Sequence, residues 1–139
     1  MSYALSTALD TPYELAVLQT RAALAEQGFG VLTEIDVAAT LKAKLDVDVP
    51  PQVILGACRP PLAYQALQAE PSVGVLLPCN VVVRSLGDRQ TVVEAMDPEV
   101  MVTVADSEAI REVAGEARRR IRAALQSLGG RDSSPDKDR

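Results

Sequence analysis

The chain has 139 residues, 47% of them apolar and 24% charged, with a net charge of −5. That length and apolar share suit one domain with its own core, and neither a metal nor a disulfide is needed to fold it. An acidic surface repels nucleic-acid backbones, and three Tyr, one Phe and no Trp offer little stacking surface. Zero histidines remove Ser-His-Asp and Cys-His catalysis and His-ligated zinc.

Residues 3–8 read as a first strand. Thr11-Pro12-Tyr13-Glu14 then reads as a helix start, with Thr11 as N-cap, Pro12 in the first helical position and Glu14 closing a capping box. Leu15, Leu18, Ala22 and Ala25, widened by Val17 and Leu24, form its predicted buried stripe, and Gly28 ends it. Residues 31–37 alternate: Val31, Thr33, Ile35 and Val37 share one face and Glu34 and Asp36 the other, the pattern of a half-buried strand. Asp36 can also cap a short helix across 38–45, before Val49-Pro50-Pro51 breaks the chain.

Residues 52–57 make the next strand, ending at Cys58, and Pro60-Pro61 opens a helix that Pro71 stops. Val73 to Leu86 is so continuously apolar that it reads as one long central strand, with a bulge or change of partner expected at Pro78. Gly87 is expected to supply a positive φ in a hairpin turn, and residues 91–96 return as a strand. Asp97-Pro98 is a turn, and residues 101–104 fit either a helix or a strand. The last helix is the clearest element: Ile110, Val113, Ala114, Ala117, Ile121, Ala124, Leu125 and Leu128 line one face, and Gly129-Gly130 stops it. The fold class is therefore α+β, an α/β two-layer sandwich with a mixed sheet of about five strands and helices mainly on one face. Residues 1–128 form the domain, and 129–139 are expected to be a disordered polar tail.

Chemistry has few candidates. Cys58 ends a strand just before a helix whose dipole would stabilise a thiolate. Cys79 lies in the long apolar run. If the two strands are parallel neighbours joined by a crossover helix, both sulfurs fall at one level, suited to a shared ligand, a soft metal ion or a reversible disulfide. The plain alternative is two buried small apolar residues. Arg59 could hold an anion at the helix entrance or simply be solvated, and Asn80 could contact a ligand or satisfy backbone near Pro78. Glu34 and Asp36 read as a carboxylate pair or as a solvent face. Arg118, Arg119, Arg120 and Arg122 read as a solvated helix end. Gly28-Phe29-Gly30 lacks the third glycine of a dinucleotide fingerprint.

Gly28-Phe29-Gly30-Val31, Glu34-Ile35-Asp36, Ile54-Leu55-Gly56-Ala57-Cys58-Arg59-Pro60 and Leu76-Leu77-Pro78-Cys79-Asn80-Val81, in that order, resemble the family catalogued as domain of unknown function 302. The resemblance runs from the first strand to the last helix. It implies a compact α/β domain, commonly a homodimer, with no established activity, and Cys58, Pro60, Pro78 and Cys79 as its signature positions. Similar sequences often carry Asn where Arg59 stands, and Asn is the better N-cap.

The leading expectation is a homodimeric binding module. Its site would be Cys58 and Cys79, with Arg59, Pro60, Pro78 and Asn80 around them, holding a small ligand or a soft metal through the two thiols. One alternative is a thiol redox enzyme or sensor with Cys58 attacking and Cys79 resolving; another is a structural or interaction protein without chemistry. No cofactor can be named and catalysis stays open. No nucleic-acid or membrane partner is expected: the longest apolar run is too short to span a bilayer. The start of the chain does not read as a secretory signal, so reduced thiols in the cytoplasm are expected.

Overall fold

The computed structural model describes residues 2–132. In chain order the elements are β1 (Ala4–Leu9), α1 (Tyr13–Glu26), β2 (Gly30–Asp36), α2 (Val37–Leu45), β3 (Gln52–Cys58) and α3 (Pro60–Ala69). A 3-10 segment (Pro71–Leu76) follows, then β4 (Cys79–Gly87), β5 (Gln90–Met96), α4 (Val100–Val104), α5 (Glu108–Ser127) and β6 (Arg131–Asp132). The six strands form one sheet in the order β2-β3-β4-β5-β1-β6. All of its pairings are antiparallel. The two-layer α+β architecture is as expected, but the sheet is not mixed.

Alternation explains which face is buried. Val53, Leu55 and Ala57 of β3 stand opposite Val83, Val81 and Cys79 of β4, and all six belong to the main core. Val93 and Ala95 of β5 and Leu5 and Leu9 of β1 extend that face beneath α1 and α5. A smaller cluster joins Leu62 and Ala66 of α3 to Val73, Met101 and the first turns of α5. Helix α5 bridges both clusters: Ile110, Val113, Ala114 and Ala117 serve the smaller one, Ile121, Ala124 and Leu125 the larger. Its apolar stripe is buried as read from sequence, except Leu128, which is half-buried.

Helix α1 presents a different stripe from the one expected. Ala16, Thr20, Ala23 and Leu24 are buried, whereas Leu15 is 47% and Leu18 65% exposed. Small side chains let the helix lie close to the sheet, and the Thr20 hydroxyl is satisfied by donating to the Ala16 carbonyl, 2.7 Å away. Thr11 does not cap α1; Pro12 takes the N-cap position without a side-chain bond, and the Thr11 carbonyl accepts from the Thr91 hydroxyl.

Three further expectations change. The apolar run 73–86 is not one strand: Pro71–Leu76 coils as a 3-10 segment, the Leu77–Pro78 peptide is cis, and β4 begins at Cys79. Gly87 has no positive φ; it sits at a register shift beside Ser85 and pairs with Gln90 across Asp88-Arg89. The tail does not start as disordered chain, because Arg131 and Asp132 pair with Ala8 and Thr7 of β1. Residues 133–139, the rest of the expected tail, lie outside the described residues. No helix among the described residues is long and apolar enough to cross a membrane.

Candidate functional site

The two cysteines come to one end of the sheet, but not by the route expected. Strands β3 and β4 are antiparallel, with Ala57 opposite Cys79. The α3 and 3-10 connection therefore leaves and returns at the same end of the sheet. Cys58 is the last residue of β3 and Cys79 the first of β4, so the end of one strand and the start of the next lie side by side. A parallel crossover would have carried the chain back to the opposite end before β4 began.

Both cysteines line one cavity of about 30 Å³ at the seam between the two core clusters. That volume admits one or two water-sized guests. Phe29, Ala57 and Cys79 come from the main core, and Leu62, Met101 and Val113 from the smaller one. Arg59 and Pro78 complete the wall beside the thiols. Among the described residues no buried side-chain nitrogen or oxygen lacks a partner, so the wall presents no orphaned polar group.

Both thiols are free; Cys79 is buried and Cys58 half-buried. Burial first, and negative charge on nearby Cys58 second, push the Cys79 thiol up to about 11. Burial also raises Cys58, so the entrance of α3 does not produce the stabilised thiolate expected there.

Arg59 occupies the N-cap of α3 without capping it through its side chain. Its Nε instead donates to the Gln27 carbonyl, 3.3 Å away, at the C-terminal end of α1. A cation at a helix C-terminus is favourable both as a donor and against the dipole. The guanidinium crosses Gly28, whose φ is +83° and where a Cβ would lie 2.9 Å from Arg59 Nε. Glycine is thus required there for conformation and for space. Gly56 plays a steric role on the other side of the site. A Cβ there would collide with Thr33 Oγ1 and lie 2.9 Å from Pro78 Cγ, so the missing side chain lets the proline ring settle over β3 just before Cys79.

The remaining candidates leave the site. Pro60 starts α3 and is exposed; Asn80 is exposed next to Cys79, and neither is on the cavity wall. Glu34 pairs with Arg21 at 3.0 Å, while Asp36 caps α2 by accepting from the Ala39 amide, 2.9 Å away. Arg118 pairs with the buried Asp97, and Arg119 and Arg120 with Glu116. Sequence reasoning missed Phe29, Leu62, Met101 and Val113. As single apolar residues on three helices and the loop before β2 they carry no local signal; only the packing of α3 and α5 over the strand ends joins them.

Comparison with known proteins places the chain. The family model described as domain of unknown function DUF302 matches residues 5–128. A crystal structure of an uncharacterised conserved DUF302 protein from Bacillus stearothermophilus is 28% identical, with a TM-score of 0.82, over 91% of this chain and 98% of that one. No curated protein matches the chain.

Proposed function

The chain belongs to the DUF302 family, and from that footing we propose that it is a binding module whose Cys58/Cys79 cavity holds a small ligand or a soft metal ion, and that it works as a homodimer in the reducing cytoplasm. One observation carries this reading: two cysteines from different strands line a single small apolar cavity. Soft thiol sulfur with few competing oxygen or nitrogen donors selects soft partners. Reduced thiols are what the cytoplasm maintains. The dimer draws support from the apolar side chains exposed along β2, α2 and the following loop, Leu32, Ile35, Leu45, Val47 and Val49.

The thiol redox reading ranks lower. A nucleophilic cysteine needs a depressed pKa, and burial raises both thiols here. The test of the binding reading is a thermal-shift and intact-mass screen of the full chain against Cu(I), Zn(II) and a trivalent phenylarsenical. At least one probe should bind one-to-one and raise Tm in the wild type but not in the Cys58→Ser/Cys79→Ser double variant. If every probe treats the two proteins alike, the binding reading fails. Sedimentation of the same samples reads the oligomeric state, and a monomer at every concentration would remove the dimer.

A further inference from the structure

Resting on that reading only in taking the Cys58/Cys79 cavity as a binding site, we infer that its occupant is a short-chain monocarboxylate, with the alkyl tail among the apolar side chains and the carboxylate on Arg59. Two features of the wall point to an amphipathic guest. Phe29, Leu62, Met101 and Val113 make the interior almost wholly apolar, so a polar group held there would be stripped of water without new partners. Arg59 is the one charged residue on that wall among the described residues. Cys58 and Arg59 are both partly exposed, whereas Leu62, Met101 and Val113 are buried. The charge therefore stands at the mouth of the cavity and the apolar floor lies between the two clusters.

Arg59 also lacks the partner that other arginines have. Arg21, Arg84 and Arg118 pair with Glu34, Glu94 and Asp97. Arg59 pairs with no carboxylate among the described residues; its Nε donates to the Gln27 carbonyl, which leaves the terminal nitrogens and the positive charge for a guest. A guanidinium matches a carboxylate with two parallel hydrogen bonds. The start of α3 adds no donors of its own. Pro60 and Pro61 have no amide proton, and the Leu62 and Ala63 amides donate to the Arg59 carbonyl. Volume then limits the tail. About 30 Å³ admits roughly two carbons beyond the carboxylate, whereas an organic ligand of ordinary size fills several hundred.

The experiment is a titration of the reduced full chain with sodium propionate at constant ionic strength, followed by NMR. Saturable shifts are expected at the Arg59 side chain and at the Leu62, Met101 and Val113 methyl groups, with a dissociation constant on the order of 1 mM for so few atoms. Formate lacks the tail, propionamide lacks the charge and hexanoate is too long; each should bind at least about tenfold more weakly. Arg59→Ala should weaken propionate by roughly tenfold, and Arg59→Lys, which keeps the charge but not the fork, should fall between. Val113→Ile adds one methylene to the floor and should turn the preference from propionate to acetate, which keeps the test open if Arg59→Ala does not fold. Equal binding of propionate and propionamide, or an unchanged preference in Val113→Ile, would overturn the inference. If no carboxylate binds while a thiol probe still raises Tm in the wild type alone, the inference falls and the binding reading stands. If carboxylates and thiol probes all fail, the two fall together.

Discussion

The edge and the centre of the sheet use similar sequence patterns to opposite effect. In β3, β4 and β5, alternating apolar residues meet α1 and α5, and Val81, Val83, Val93 and Leu55 are fully buried. In β2 the alternation is just as clear, yet Ile35 of its apolar face is 47% exposed. The difference is a covering layer. Strand β2 is the sheet edge, and α2, which continues directly from it, buries none of its residues. Alternation says that a strand has two unlike faces; whether either is buried depends on what lies over it.

The largest expected effect tests that contrast directly. Ile121→Ala removes a fully buried side chain from α5 where it joins the main core, and should destabilise the protein by about 2–5 kcal/mol in urea melts. Ile35→Ala on β2 should cost less than about 0.5 kcal/mol at low protein concentration. Repeating the pair at high concentration sharpens the comparison. If a second copy covers β2 and α2, the Ile35→Ala cost grows with concentration, while the Ile121→Ala cost does not. Equal costs at every concentration would mean that the edge is packed as tightly as the centre.

The same contrast explains what the sequence made legible. Helix α5 could be read almost residue by residue, because 20 residues sustain one apolar stripe and Ser107 caps it by accepting from the Ile110 amide. The stripe of α1 departs from the sequence expectation because side-chain size does not decide burial there. Close approach to the sheet selected Ala16, Thr20 and Ala23 beside Leu24 and left Leu15 and Leu18 outside. The run 73–86 splits where the sequence suggests one strand, because apolar content does not distinguish a strand from a 3-10 segment. At the site, both cysteines and their neighbours Arg59 and Pro78 were visible in the chain. The antiparallel turn-back that unites them was not, because it depends on where α3 and the 3-10 segment pack rather than on anything local to either thiol.

A second prediction places the thiols within this picture. Cys79 sits on the core face of β4 with a thiol raised from its ordinary 9.0 to about 11, whereas the unfolded chain releases that proton at the ordinary value. Between those limits the unfolded state holds fewer protons than the folded one, so stability falls as pH rises. The contribution is fully present below pH 9 and is lost as pH rises toward 11. Going from pH 8 to pH 10, the wild type should lose about 1 kcal/mol more than Cys79→Ala, because the variant has no proton to lose at that position. Chemical denaturation at the two pH values measures the difference. Parallel pH dependence in the two proteins would show that the thiol is not held in the core.

The smallest effect separates the two regions most finely, because it makes one chemical change in both. Ser107 and Asp36 each cap a helix with a side-chain oxygen, at 3.2 Å from the Ile110 amide and 2.9 Å from the Ala39 amide. Ser107→Ala loosens the first turn of a helix that spans both core clusters, so the loss is transmitted to global unfolding and should cost about 1 kcal/mol. Asp36→Ala removes an equivalent bond from a helix that buries nothing, so α2 can fray while the sheet stays folded. Its global cost should stay within about 0.3 kcal/mol, with the change confined to faster amide exchange in the first turn of α2. An equal global penalty for the two caps would make β2 and α2 part of the same cooperative unit as α5. The exposed edge would then owe its stability to contacts beyond its own sheet neighbours, and a second copy of the chain would be the first place to look for them.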